Sequence, residues 1–412
     1  MAFDYDLVIL GGSSAGRFAA LKAAQLRSRV ALIEPPLSNP PDFLPLFYQH
    51  LRQGVDLSVA RSRAAQLAER RSLAFLATQG VDVRIGQAEF QRSFVIAVEG
   101  QILRSRTFLL APHSEPVPID RSISLEAIAR SDRLPTGKIF IIGSNPIAVE
   151  MSQILTRSSA EAALYLPRSL AGIDAEAFSL LRSSLEASGV RIDDDLPDGT
   201  VLSTDRQPQL AALNLDAVGV QIRAGVVPVN AYLQTTNPRI YACGEALGGY
   251  WLPHIAEQEA AIALDNALFW PRRRIRYEQI PWAIRTTPEL AQVGLSERQA
   301  RRRYRSDVRI VRQAYRSIDI ANISGEPIGL CKLILRRNGK ILGAHLLGSN
   351  ASETIAPIAL ALQQNLSIQS LAAIAPSATW NEILAHTAQQ WQRDRLANWQ
   401  REWLERWFDW RR

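Results

Sequence analysis

Two short apolar stretches, each running into a glycine-bearing turn and then a helical pattern, constrain this 412-residue chain more than any other feature. In the first, Asp6 to Leu10 reads as a buried parallel strand and Gly11-Gly12-Ser13-Ser14-Ala15-Gly16 as the turn; Arg17 to Arg27 carries apolar residues at helical spacing. In the second, Lys138 to Ile142 leads into Gly143-Ser144-Asn145-Pro146-Ile147-Ala148 and a helix from Ile147 to Leu155. Such a turn aims free backbone N–H groups and the positive end of a helix at a phosphate. Two of them predict an α/β protein with two Rossmann-like nucleotide folds.

The two turns differ in quality. In the pattern G-x-G-x-x-G the first glycine makes the tight turn, the second admits the pyrophosphate, and the third lets helix and strand pack closely. Gly11 and Gly16 hold the first and third places, and Ser13 the second. The next strand, Val30 to Ile33, ends in Glu34, whose carboxylate is suited to a ribose. In the second turn Gly143 is kept, but Asn145 and Ala148 take the other places, and the following strand ends at Pro167-Arg168 without an acid. A guanidinium there favours a 2'-phosphate, so NADPH is favoured over NADH. The alternative is a retained fold with a weakened or lost cofactor site.

Composition sets broad limits. With 47% hydrophobic and 21% charged residues the chain reads as soluble and globular. The net charge of +7 is carried by arginine, densest at Arg272 to Arg276 and Arg301 to Arg305. Neither run accompanies a nucleic-acid-binding fold, so a solvated basic face is expected and no nucleic-acid partner. The two cysteines, Cys243 and Cys331, form no closely spaced pair; a reducing, cytoplasmic setting and no metal site are expected. The start lacks the basic region of a signal peptide.

Further along, Thr236 to Glu245 reads Thr-Asn-Pro-Arg-Ile-Tyr-Ala-Cys-Gly-Glu, and here the chain resembles the pyridine nucleotide-disulfide oxidoreductase family. Ile280-Pro281-Trp282 through Glu297 resembles the start of that family's dimerisation domain, and Gly343 through Glu353 its middle. The resemblance implies FAD at the first turn, NAD(P)H at the second, and a homodimer. It gives Gly244-Glu245 the place of a Gly-Asp pair that holds the ribityl chain. Leu252-Pro253-His254 would begin a helix beneath the flavin pyrimidine, where a helix N-terminus stabilises negative charge; His254 is read as positioning the backbone.

The departures weigh as much as the matches. The family's CxxxxC pair falls on Ser38 and Phe43, and its flavin-side lysine on Phe47, although the lysine's usual partner matches Glu150. The family's His-Pro-Thr-x-x-Glu dyad is replaced by Ser377-Ala378-Thr379-Trp380-Asn381-Glu382, which keeps Glu382 without the imidazole. His113 stands in Ala111-Pro112-His113-Ser114, where the family has Ala-Thr-Gly. Without a thiolate pair, disulfide, lipoamide and mercuric reduction are not expected.

The reading is therefore an FAD domain (1–114 and 231–272), an NAD(P)-like domain (115–230), a dimerisation domain (273–388) and a Trp-rich amphipathic helix (389–412). On that helix Leu396, Trp399, Trp403, Trp407 and Trp410 share a face, expected to pack on the dimer or a protein partner, with peripheral membrane contact as the alternative. Function reads as an FAD-dependent NAD(P)H oxidoreductase passing electrons to a quinone, oxygen or protein. The alternative is a catalytically degenerate FAD-binding dimer acting as scaffold, sensor or partner-binding protein.

Overall fold

The computed structural model describes residues 3–36, 42–120, 122–158, 160–165, 172–192, 200–249, 251–395 and 398–412. They divide into two compact units, residues 1–165 with 193–276, and residues 166–192 with 277–412.

In the first unit β1 (Tyr5–Leu10) leads into α1 (Ser14–Gln25), β2 (Val30–Glu34), α2 (Phe43–Arg52), β3 (Asp82–Ile85), β4 (Ala88–Arg92), β5 (Val95–Val98) and β6 (Gln101–Leu110). The strands form one sheet in the order β3-β2-β1-β6-β5-β4, with β1 parallel to both β2 and β6. Leu7 to Leu10 and Val30 to Glu34 are buried without interruption, as expected of parallel strands covered on both faces. A second, parallel sheet follows, in which β7 (Ser122–Ser124), β8 (Gly137–Ile142), β9 (Ala160–Tyr165) and β10 (Thr200–Ser203) take the order β9-β8-β10-β7. Its glycine turn opens α3 (Pro146–Arg157). Between β9 and β10 the chain enters the other unit to form α4 (Ala175–Ala187), and then returns to add β11 (Ile240–Ala242) in parallel to β6 and to close with α5 (Pro253–Leu268).

The core beneath α1 and α5 explains how the first turn is held. Ala15, Ala19, Ala20 and Ala23 of α1 pack with Ala260, Ala263 and Leu264 of α5 and with Leu7, Ile9 and Leu32 of the sheet, all fully or nearly fully buried. Small side chains on both helices bring their backbones close to the strands, so the N-terminus of α1 is fixed against the end of β1.

The second unit is built on an antiparallel sheet in the order β12-β13-β16-β15-β14, from β12 (Trp282–Ile284), β13 (Glu289–Gly294), β14 (Val308–Ala314), β15 (Leu330–Arg336) and β16 (Ile341–Gly348). With it go α6 (Glu297–Tyr304), α7 (Ala351–Gln363), α8 (Glu382–Arg395) and α9 (Asn398–Arg411). The described residues of the tail are helical in α8 and α9, and Leu396 lies outside the described residues. Trp391 of α8 is 4% exposed and belongs to the core with Leu333, Leu346, Ile355 and Leu384.

Two buried polar groups stand out in this unit. Lys332 Nζ donates to Asp174 Oδ1 at 2.7 Å and lies 2.8 Å from carboxylate oxygens of both Glu176 and Glu297. Burial opposes its charge, but the three carboxylates outweigh that and raise its pKa. His345, 1% exposed, is held between Gln292 Oε1 at 3.0 Å and the Leu295 carbonyl at 3.3 Å. Burial lowers its pKa from 6.5 to about 4.

Because the folded imidazole stays neutral while the unfolded one binds a proton below 6.5, stability falls as pH drops from 6.5 towards 4 and this contribution levels off below that. A shift of this size corresponds to about 3 kcal/mol over the window. Chemical denaturation on either side of pH 6 is expected to show the loss, and His345→Asn to flatten it; an unchanged slope in the variant contradicts the assignment.

Candidate functional site

The first turn is an anion cradle with its own acid beside it. Gly11 has φ +100°, and a Cβ on it would lie 2.4 Å from the Ala111 carbonyl oxygen, so only glycine fits here. Ser13 caps α1, its Oγ accepting from the Gly16 N–H at 3.4 Å. Helix geometry leaves the first-turn N–H groups of Ser14 and Ala15 without intrahelical partners. The Ser14 hydroxyl donates to Asp42.

Glu34, 2% exposed at the end of β2, closes the cradle. One oxygen accepts from the Gly12 N–H and from His113 Nε2 at 3.0 Å, and the other from Arg17 at 3.1 Å. Arg17 is itself fixed by the carbonyls of Gly12 and Arg71, each at 2.9 Å. Burial works against ionisation, yet His113 and Arg17 outweigh it and hold the Glu34 carboxyl below its ordinary range. A carboxylate accepts about four hydrogen bonds; three are used, so one position is left for a ribose hydroxyl. The donor set therefore fits the adenosine diphosphate part of FAD, with His113 and Arg17 as additional neighbours of the ribose site. Bound there, FAD supplies redox chemistry that needs no protein thiol.

Other contacts involve the segments that the resemblance assigns to the flavin. The Gly244 N–H donates to Glu259 Oε2 at 2.7 Å, and Glu245, expected at the ribityl chain, accepts from Trp251 Nε1 at 2.8 Å. Leu252 is the N-cap of α5 and Pro253, which has no N–H, its first residue; the Ile255 and Ala256 N–H groups donate to the Leu252 carbonyl at 3.0 and 3.2 Å, and His254 is exposed on that first turn. Ser38 lies outside the described residues. Phe43 and Phe47 are buried on α2, stacked at 5.8 Å with 12° between ring planes, and Tyr48 meets Phe47 edge-on at 5.3 Å. An aromatic cluster thus occupies the positions aligned with the second thiol and the lysine.

The two cysteines cannot substitute for that pair. Both are buried and free. Burial pushes the Cys243 thiol well above its usual value, and that of Cys331 up to about 12.

The second turn is filled by the protein itself. A Cβ on Gly143 would lie 1.9 Å from Thr204 Oγ1, so the turn closes directly on the end of β10. The Asn145 side chain is turned to the protein's own groups. It caps α3 by accepting from the Ala148 N–H at 3.1 Å, and its amide donates to Thr204 and Asp205. The Asp205 carboxylate accepts from the Ser144 N–H at 3.0 Å. That N–H belongs to the anion position of the turn, and a carboxylate already holds it. The turn as arranged does not fit a pyrophosphate unless Asp205 moves away. Ile147 is buried in the first turn of α3, Glu150 is half-buried on the same helix, and Arg168 lies outside the described residues.

The remaining acid–base candidates lie in the second unit. Ser377 is exposed, and Glu382 Oε1 accepts from the Ala378 N–H at 3.0 Å, so that oxygen closes a local turn. Its other oxygen is buried without a hydrogen-bond partner among the described residues. Among the described residues no cluster of three metal-ligating side chains occurs, and no helix is long and apolar enough to cross a membrane. Arg17, His113 and Asp205 were not foreseen as site residues. Arg17 was readable as a charged residue within an otherwise apolar helix face, whereas nothing near Asp205 in sequence marks it.

Comparison with known proteins accords with this geometry. The profile described as pyridine nucleotide-disulphide oxidoreductase matches residues 5–194, and that of the family's dimerisation domain matches 280–387. The mercuric reductase of Staphylococcus aureus is 27% identical, over 95% of this chain and 83% of its own length. The dihydrolipoyl dehydrogenase of Bacillus subtilis is 28% identical, over 85% of this chain and 90% of its own. In fold, the chain is similar to the HOCl-induced flavoprotein disulfide reductase RclA of Escherichia coli, with TM-score 0.81, 20% identity and coverage of 93% and 99%. The family is one of FAD-dependent oxidoreductases that use NAD(P)H, and the dimerisation domain supports a homodimer. Through its two glycine turns, its α/β architecture and that C-terminal domain, this chain belongs to the pyridine nucleotide-disulphide oxidoreductase family.

Proposed function

We propose that this protein is an FAD-dependent oxidoreductase whose flavin gives electrons to a non-disulfide acceptor: a quinone, oxygen or another protein. The observation that carries this reading is the aromatic cluster of Phe43, Phe47 and Tyr48, which fills the positions aligned with the family's second thiol and lysine. A thiol relay requires a thiolate within reach of the flavin, and both cysteines of the chain are buried with raised pKa values. Electron exchange with a quinone or oxygen requires only that the cofactor be held and reached. The proposed site residues are Gly11 to Gly16 and Glu34 for the adenosine diphosphate, and Gly244, Glu245 and the start of α5 for the flavin side.

The family's NAD(P)H enters this reading as a weakly held donor. Asp205 must leave the Ser144 N–H before a pyrophosphate can take its place, and its negative charge opposes the incoming phosphates. The preference for NADPH rests on Arg168 alone. The same observation favours a second reading, an FAD-binding dimer that has lost turnover and serves as scaffold, sensor or partner-binding protein.

Both readings are separated by photoreducing the FAD-loaded protein without oxygen and then adding one acceptor at a time. Reoxidation by a quinone or oxygen faster than that of free FAD, with none by glutathione disulfide or lipoamide, is the outcome of the enzyme reading. Rapid reoxidation by a disulfide contradicts it, and no acceleration by any acceptor leaves the degenerate reading standing. For the donor, Asp205→Asn is expected to tighten NADPH binding at least roughly tenfold, about 1.4 kcal/mol, as measured by calorimetric titration. Equal affinity in both proteins contradicts the role given to Asp205.

A further inference from the structure

The C-terminal helix α9 (Asn398–Arg411) belongs to the second unit, in which α8 buries Trp391 in the core, and it carries an exposed tryptophan face. Trp403, Trp407 and Trp410 are 58%, 41% and 77% exposed. Their rings form a continuous ladder, with centroids 5.8 Å apart between Trp403 and Trp407 and 5.5 Å between Trp407 and Trp410. At about 100° per residue these three positions fall within an arc of roughly 60°. Arg406 borders that arc on one side and Arg411 on the other, with the Arg411 guanidinium 6.0 Å from the Trp407 ring centroid. Glu405 and Asp409 fall on the opposite side of the helix, and Phe408 lies off the stripe.

We propose that α9 is a membrane-surface anchor that lays its tryptophan face into the interface of an anionic bilayer. Three features select a lipid surface over a second copy of the chain. A helix seam that packs on another helix is made of branched aliphatic side chains that interlock, whereas this stripe is made of tryptophan, whose N–H remains wet while the ring is buried at headgroup depth. The cations next to the stripe are arginines, whose stems follow the rings inward while their guanidinium groups reach lipid phosphates. The acids Glu405 and Asp409 are placed where they would face water and not the anionic surface. The helix is also the wrong kind to span the bilayer: it has 14 residues and charges on its remaining faces, so it lies in the interface plane.

The test uses the full FAD-loaded chain, sedimented with vesicles of phosphatidylcholine alone and of phosphatidylcholine with phosphatidylglycerol. The protein is expected to pellet with the anionic vesicles, less so as salt is raised, and its tryptophan emission to shift to the blue and be quenched by brominated lipid. The combined Trp403→Ala, Trp407→Ala, Trp410→Ala variant is expected to bind at least roughly tenfold more weakly, with its flavin absorbance, melting temperature and dimer mass unchanged. Arg406→Gln with Arg411→Gln is expected to lose the preference for the anionic vesicles. The proposal is overturned if the wild-type chain stays in the supernatant with both vesicles, or if the tryptophan variant binds as well as the wild type. It is equally overturned if light scattering shows that the tryptophan variant has lost the dimer, since the stripe would then be a contact between copies.

Discussion

The organising constraint of the first unit is the need to satisfy the positive ends of helices that point at the carboxyl ends of parallel strands. Each glycine turn presents backbone N–H groups, and an unmet group is costly where the turn is buried, as at Gly12. At the first turn Glu34 meets this demand only in part: it takes the Gly12 N–H, leaves the N–H groups of Ser14 and Ala15, and keeps room for one more donor. At the second turn Asp205 meets it at the Ser144 N–H, where a phosphate would bind, while Asn145 caps the helix. One chain thus holds the same supersecondary motif in an open form and in an internally satisfied form. On the proposed reading, this difference is what separates a turn that accepts a nucleotide from one that holds it weakly.

The first site also shows how an acid is kept charged when buried. Arg17 reaches Glu34 from within α1 and is itself tied to two carbonyls, so its position is set before any ligand arrives. His113, in a place where the family has glycine, adds a second nitrogen to the same carboxylate. The acid is therefore preorganised as an acceptor, with less freedom to turn towards a ribose than a lone glutamate has. The Lys332 cluster of the second unit follows a related logic, with one buried cation held by the carboxylates of Asp174, which caps α4, of Glu176 in α4 and of Glu297 in α6.

Much of this was legible in sequence because the relevant signals are local. Continuous apolar runs such as Leu7 to Leu10 and Ile139 to Ile142 identify parallel strands, and the glycines after them identify the turns. The observed helices begin at Ser14 and Pro146, three residues and one residue before the starts read from the apolar pattern, because Ser13 and Asn145 act as N-caps. What was not legible depends on residues distant in the chain. Asp205 meets Ser144 across 61 positions, and His113 meets Glu34 across 79, so no spacing rule reveals either. Lys332 sits on a strand whose alternation gives no hint that its side chain is buried among acids from elsewhere. In the tail the tryptophans look alike in sequence, but burial divides them: Trp391 is a core residue and Trp403, Trp407 and Trp410 are surface residues.

If the open and filled turns are the governing difference, the two nucleotides must bind with very unequal strength to one chain. Calorimetric titration of the flavin-free dimer with FAD and, separately, with NADPH measures this directly. The account predicts one tight FAD site per chain and NADPH binding at least roughly a hundredfold weaker, a gap of about 2.7 kcal/mol or more. Comparable affinities for the two, or displacement of FAD by NADPH, would contradict it.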